Sequence, residues 1–137
     1  MNTLGTYPVQ NIKSLIKPDG FYYIASPYTH PSSSVVGWRV ARARQITGLL
    51  TEAGIFCFSP IVHTHQMAKE HSLPTDFTFW LGYNKVFMDA SVGTIVCEIS
   101  GYDRSKGVKQ EIEYTKSVGK PLYLARVKRG ELLLDRA

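Results

Sequence analysis

"VGTIVCEISGYDRSKGVKQEIEYTKSVGKPLYLARV", residues 92–127, decides the fold. Residues 92–99 are an apolar run rich in β-branched side chains, the composition of a strand buried on both faces. GYDRSKG (101–107) follows with turn-forming residues. From 107 to 118 apolar positions recur at helical spacing, and Gly119 suits the end of that helix. KPLYLARV (120–127) is apolar again and reads as a second buried strand. Strand, helix, strand at these lengths is a βαβ unit, whose two strands run parallel.

The same alternation extends upstream. FYYIASP (21–27) reads as a buried strand and PYTHPSSS (27–34) as a loop. Residues 35–53 carry Val36, Val40, Ala43, Ile46, Leu50 and Ala53 on one helical face, with serines ahead to cap it and Gly54 to end it. IFCFSP (55–60) reads as a strand stopped by Pro60, and IVHTHQMAKEHSLP (61–74) as a long connection. Residues 75–90 form a second helix, with Thr75 or Asp76 near its start and Phe77, Trp80, Leu81, Asn84, Phe87 and Met88 on its inner side.

The pattern predicts one α/β domain over residues 21–127. It has three layers: a mainly parallel sheet of four to five strands with helices on both faces, in the flavodoxin- or Rossmann-like manner. Residues 1–20 read as a lead ending in the turn Pro18-Asp19-Gly20. Residues 128–137 read as a tail whose Leu132, Leu133 and Leu134 dock on the body or on a partner chain.

Composition narrows the function classes. A chain of 137 residues suits one core. The net charge of +5 comes from scattered basic residues, with no Lys/Arg tract interleaved with aromatics, so no nucleic-acid polymer is expected as a partner. No apolar run approaches the roughly 20 residues that span a bilayer, and the first residues hold no signal-peptide core. Cys57 and Cys97 each sit in an apolar run, which predicts reduced thiols and a cytoplasmic setting. No GxGxxG, P-loop or GxSxG motif occurs.

In parallel sheets, ligands bind beyond the C-terminal strand ends. Three segments fall there: SPYTHPSSS, SPIVHTH and GYDRSKGVKQE. On a wheel of 100° per residue, Val108, Ile112, Thr115 and Gly119 form the inner stripe of the helix over 107–118. Glu111 lies about 60° from Val108, at the edge of that stripe. Unpaired N–H groups and the positive end of the helix dipole favour its ionised form there. Such a carboxylate suits a nucleophile or a cation stabiliser; a backbone cap or a partner to a buried Arg is the structural alternative.

His63 and His65 stand at the spacing of a first metal-ligand pair, but no Cys or carboxylate supports them, so neither metal nor cofactor is expected. Hydrogen bonding to substrate or to a neighbouring loop, or a structural role, remains for both. His30 lies in the first loop, where it can meet a phosphate. Tyr22 and Tyr23 read as strand packing, and Phe79 and Trp80 as core or dimer contacts.

Three motifs stand in order: Ala25–Tyr28 (ASPY), Phe58–His65 (FSPIVHTH) and Gly101–Glu111 (GYDRSKGVKQE). With TIVCEI (94–99), they make the chain from about 21 to 125 resemble the nucleoside 2-deoxyribosyltransferase-like superfamily. Ser-x-Gly-Val-x-x-Glu resembles its 2′-deoxynucleoside 5′-phosphate N-hydrolase branch, and the chain as a whole resembles a small, largely uncharacterised bacterial and phage group within that fold.

The resemblance implies cleavage of the N-glycosidic bond of a (deoxy)nucleoside 5′-monophosphate, without a cofactor, or transfer of the base instead. It implies Glu111 as the nucleophile at C1′. Ser105 and Gly107, with Val108 at the same helix start, then hold the 5′-phosphate, and Ser26 and Tyr28 contact the nucleotide. Arg39, Arg42, Arg104 and Lys106 are candidate phosphate partners. It also implies a homodimer or larger homo-oligomer. The superfamily's acid on the helix before the third strand corresponds to Asn84, an amide that donates no proton as an acid, so Asp89 and Asp103 become substitutes. Two further readings follow: a nucleotide-binding sensor or sponge without turnover, and an NAD-cleaving hydrolase.

Overall fold

All five residues of the strand Gly93–Cys97 are buried, as a strand covered on both faces must be. The computed structural model describes residues 6–8, 19–74 and 76–137. In chain order its elements are β1 (Thr6–Pro8), β2 (Tyr22–Ala25), α1 (Ser33–Glu52), β3 (Cys57–Phe58), α2 (Pro60–Glu70), α3 (Phe77–Ala90), β4 (Gly93–Cys97), a 3-10 turn (Tyr102–Arg104), α4 (Lys106–Ser117), β5 (Leu122–Lys128) and β6 (Glu131–Arg136). The expected α/β class, parallel core and two covered faces are all present.

The sheet has six strands in the order β1-β6-β5-β4-β2-β3. β3, β2, β4 and β5 pair in parallel, β6 is antiparallel to β5, and β1 is antiparallel to β6. The β2–α1–β3 crossover runs toward one edge and β4–α4–β5 toward the other. Right-handed crossovers in opposite directions place their helices on opposite faces. Tyr22 and Ile24 accordingly pack with Ile46 and Leu50 of α1, whereas Tyr23 and Ala25 pack with Met88 of α3 and Val108 of α4. The order reverses between β2 and β4, so the crevice for a ligand opens where those strands end.

Several expectations need correction. The expected connection over 61–74 contains a helix, α2. Ser59 caps it by accepting from the N–H of Val62, and Pro60 occupies its first turn, where a missing N–H costs nothing. Pro60 therefore starts a helix as well as ending a strand. The strand expected over 55–60 shrinks to two residues at the sheet edge, with Cys57 half-buried and Phe56 exposed. Leu81, expected on the inner side of α3, is exposed. Ser32 occupies the N-cap of α1 but makes no side-chain cap bond.

The tail docks on the body, one of its two expected alternatives, but as a strand: residues 131–136 form β6, and Leu132 and Leu134 are buried in the chain's own core. Arg129 and Gly130 both adopt positive φ (54° and 77°) between β5 and β6, the signature of a tight hairpin matched to strand twist. The folded body thus runs past residue 127 and gains a sixth strand from the lead, since Thr6–Pro8 pairs with β6. The rest of the lead, including Pro18, and the proposed start at Thr75 lie outside the described residues. Among the described residues no helix is long and apolar enough to cross a membrane.

One side chain closes the end of α3. Lys120 Nζ donates to the carbonyls of Met88 (2.9 Å), Asp89 (2.8 Å) and Ser91 (2.7 Å), satisfying acceptors a helix C-terminus leaves open. Lys120→Met is expected to destabilise the fold by about 2 kcal/mol. The check is a lower urea midpoint at unchanged slope. An unchanged midpoint would mean that water replaces the ammonium at no cost.

Candidate active site

The start of α4 is built locally. Ser105 is its N-cap, and its Oγ accepts from the N–H of Val108 at 3.2 Å. From that start, Val108, Glu111 and Thr115 face inward. The buried stripe is therefore rotated toward Glu111 relative to the sequence wheel, and Ile112 is only half-buried. The Thr115 hydroxyl donates to the Glu111 carbonyl (2.7 Å) and accepts from Thr94 of β4 (2.8 Å). This chain of hydroxyls fixes the Glu111 backbone against the sheet.

Glu111 is 9% exposed, and its Oε2 accepts a hydrogen bond from the Tyr23 hydroxyl of β2. Its Oε1 makes no hydrogen bond to the described residues. Burial pushes the carboxyl up to about 8, and the Tyr23 hydrogen bond opposes that rise only in part. The sequence argument for an ionised group at a helix start fails for a positional reason. Glu111 is the sixth residue of α4, beyond the first turn in which the dipole acts. Burial, followed by Glu111 itself, holds the Tyr23 phenol well above its usual range, so Tyr23 keeps its proton and remains a donor.

Tyr23, read from sequence as packing, is the principal residue that reading missed. The available signal was chemical: a tyrosine buried on both sides needs a partner for its hydroxyl. Arg39 is among the candidate phosphate partners, but its contact with Gly101 is not read from sequence. Arg39 Nη1 donates to the Thr29 carbonyl at 2.8 Å, which ties α1 to the loop after β2. Gly101 has φ +96°, and a Cβ there would collide with Arg39 Nη2. Arg39 thus spans the two loops that flank the reversal of strand order.

Three buried polar atoms have no partner among the described residues: Ser26 Oγ, Arg39 Nε and Asn84 Oδ1. Buried polar atoms are nearly always paired, and orphans concentrate where a ligand completes them. Ser26 directly follows β2 and is 6% exposed. Asn84 stands one turn before Met88 on α3, which packs with α4 over the same sheet face, so the structure keeps Asn84 on the Glu111 side.

The other predicted site residues divide. Tyr28 shares a 2.8 Å hydrogen bond with His65 Nδ1, joining the loop after β2 to α2. Burial, aided by Lys69 and Arg44, lowers the His65 pKa and so favours the neutral ring. His63 lies on α2 two residues earlier, is exposed, and rests on the Phe58 ring. Two residues along a helix turn about 200°, so the two histidines diverge. Among the described residues no cluster of three metal-binding side chains occurs. His30 is exposed, and its Nδ1 accepts from the N–H of Ser32 at 2.9 Å. Asp103 is exposed in the 3-10 turn, and Asp89 is exposed and accepts from the Tyr114 hydroxyl. The Val108 side chain is core, so only its backbone lies at the helix start. A Cβ at Gly107 would meet little, the nearest atom being Ser105 Oγ at 3.8 Å.

An open groove of about 210 Å³ lies on the α1 side, lined by Trp38, Arg42, Gln45, Glu98 and Ser100 among others, and Glu111 does not line it. Arg42 is occupied there, donating to Gln45 and stacking over Trp38. Of the four candidate phosphate partners, Arg39 is therefore the one placed between the two site loops.

Comparison with known proteins places the domain without giving it an activity. No curated protein matches the chain. Residues 20–126 match the family described as a domain of unknown function (DUF1937), and the chain belongs to that family.

Proposed function

We propose that this domain hydrolyses the N-glycosidic bond of a (deoxy)nucleoside 5′-monophosphate, releasing free base and sugar 5-phosphate. The observation that carries the reading is the Glu111–Tyr23 pair. A buried carboxyl is gripped through one oxygen, with its other oxygen making no hydrogen bond among the described residues, below the reversal of strand order. Breaking the glycosidic bond builds positive charge at C1′, and a carboxylate there captures or stabilises it. The start of α4, with Ser105 and the backbone of Gly107, offers N–H groups to a phosphate. Arg39 adds the cation, its Nε awaiting an acceptor. Phosphate held at the loop fixes C1′ relative to Glu111.

The test is chromatographic. The protein is incubated with ribo- and deoxyribonucleoside monophosphates, including 5-modified pyrimidines, and free base and sugar 5-phosphate are measured. Release by the wild type that Glu111→Gln abolishes supports the hydrolase. Asn84, in a place where an acid would help, favours a second reading: a nucleotide-binding module without turnover. A nucleotide that raises the melting temperature but is never cleaved would select that second reading.

A further inference from the structure

We propose that the nucleotide this site takes carries a cationic base, an N-alkylated purine or a pyridinium ring, which leaves C1′ without being protonated. The inference rests on the glycosidase reading above and names its substrate class.

It follows from what surrounds Glu111. When a glycosidic C–N bond breaks, the bonding pair goes to the base nitrogen. A neutral base needs a proton there from an acid. The inner side of α3 offers Asn84, an amide, and the Tyr23 proton is engaged by Glu111 Oε2. Asp89 faces solvent and holds the Tyr114 hydroxyl, and Asp103 is exposed in the 3-10 turn. Glu98 lines the groove on the α1 side with Arg126 3.9 Å away. His65 is tied to Tyr28, and His63 is exposed on Phe58. A cationic ring needs no acid, because the departing pair neutralises it.

Charge complementarity points the same way. Two side-chain oxygens on this sheet face lack hydrogen-bond partners among the described residues: Asn84 Oδ1 and Glu111 Oε1. The ion pairs of Arg126, on β5, are with Glu98 and Asp135, and among the described residues no cation pairs with Glu111. Ionising a carboxyl buried without a cation is costly, and a ligand that brings the positive charge offsets that cost. The arriving cation also favours the ionised carboxylate that the reaction uses.

The step balances. The C1′–N bond breaks and its electron pair neutralises the ring. Glu111 Oε1 captures C1′, and water then cleaves that ester. Cationic nucleotide plus water gives neutral base, sugar 5-phosphate and one proton, with Glu111 regenerated as carboxylate.

The experiment compares 7-methylguanosine and guanosine 5′-monophosphates, and nicotinamide mononucleotide with uridine 5′-monophosphate, by base release and by calorimetric binding. The wild type is expected to cleave the cationic members with at least about 100-fold higher kcat/KM. It is expected to bind them about tenfold more tightly, and Glu111→Gln should erase that binding preference. Because cationic glycosides are intrinsically labile, binding is the charge-specific readout. Asn84→Asp supplies the missing acid and is expected to raise cleavage of guanosine 5′-monophosphate about tenfold or more. Neutral nucleotides bound and cleaved as well as their cationic partners would overturn this proposal and leave the glycosidase standing. Release from no nucleotide at all would overturn both.

Discussion

Glu111→Gln is expected to abolish base release while making the fold more stable in mild alkali. The two effects share one cause. In the unfolded chain the carboxyl titrates near 4.5; in the folded chain burial pushes it up to about 8. Between those values the folded state holds a proton that the unfolded state has released. Stability therefore falls as pH rises through that window, by up to about 1.4 kcal/mol per pH unit. The accumulated loss by pH 8 is on the order of a few kcal/mol, since the group is buried. Glutamine keeps the shape and hydrogen-bonding capacity of the neutral acid and has nothing to ionise. Urea unfolding at pH 5, 6.5 and 8 should show the wild type weakening while the variant stays level with respect to this group. Parallel curves would sink the account of a buried, proton-holding carboxyl. Turnover should fall by about 10³-fold or more, because the amide forms no glycosyl ester.

A residue whose replacement is expected to raise stability is not there for the fold. That separates Glu111 from its neighbours in the same helix, Val108 and Thr115, whose burial and hydroxyl chain the packing uses directly. It also bears on what could be read from sequence. The βαβ pattern over 92–127 was legible because β4 and β5 are strongly apolar and α4 is strongly amphipathic. Glu111 stood out because a carboxylate on an inner helical stripe contradicts that pattern. Its charge state was misread because a wheel gives direction and says little about depth.

The misses have equally specific causes. α2 was hidden by Pro60, whose role as a strand stop masked its role in a first helical turn. β6 was hidden because Leu132-Leu133-Leu134 does not alternate, and the turn signal lay in the preceding Arg129-Gly130. Tyr23 was hidden because β2 is buried on both faces, so no polar face betrayed the one hydroxyl with a task. Arg39 and Gly101 meet only through the reversal of strand order, a long-range feature no local window contains.

Tyr23→Phe should slow turnover by about 10- to 100-fold and move the pH dependence of what remains. The reasoning begins with the sign of the hydrogen bond. A donor to Oε2 favours the carboxylate, so Tyr23 holds the Glu111 pKa below the value burial alone would impose. Removing the hydroxyl raises that pKa further. If the reaction needs the ionised group, the rise of kcat/KM with pH, expected near 8 for the wild type, shifts to higher pH in the variant. The carboxyl also loses its orientation, so kcat should fall more than KM rises. Stability should drop by about 1 kcal/mol at low pH, where a single neutral hydrogen bond is lost. A purely structural tyrosine would give that stability loss with an unmoved pH profile. A moved profile at modest stability cost is what a donor aimed at a working carboxylate produces, and only the pair Tyr23–Glu111, taken together, predicts it.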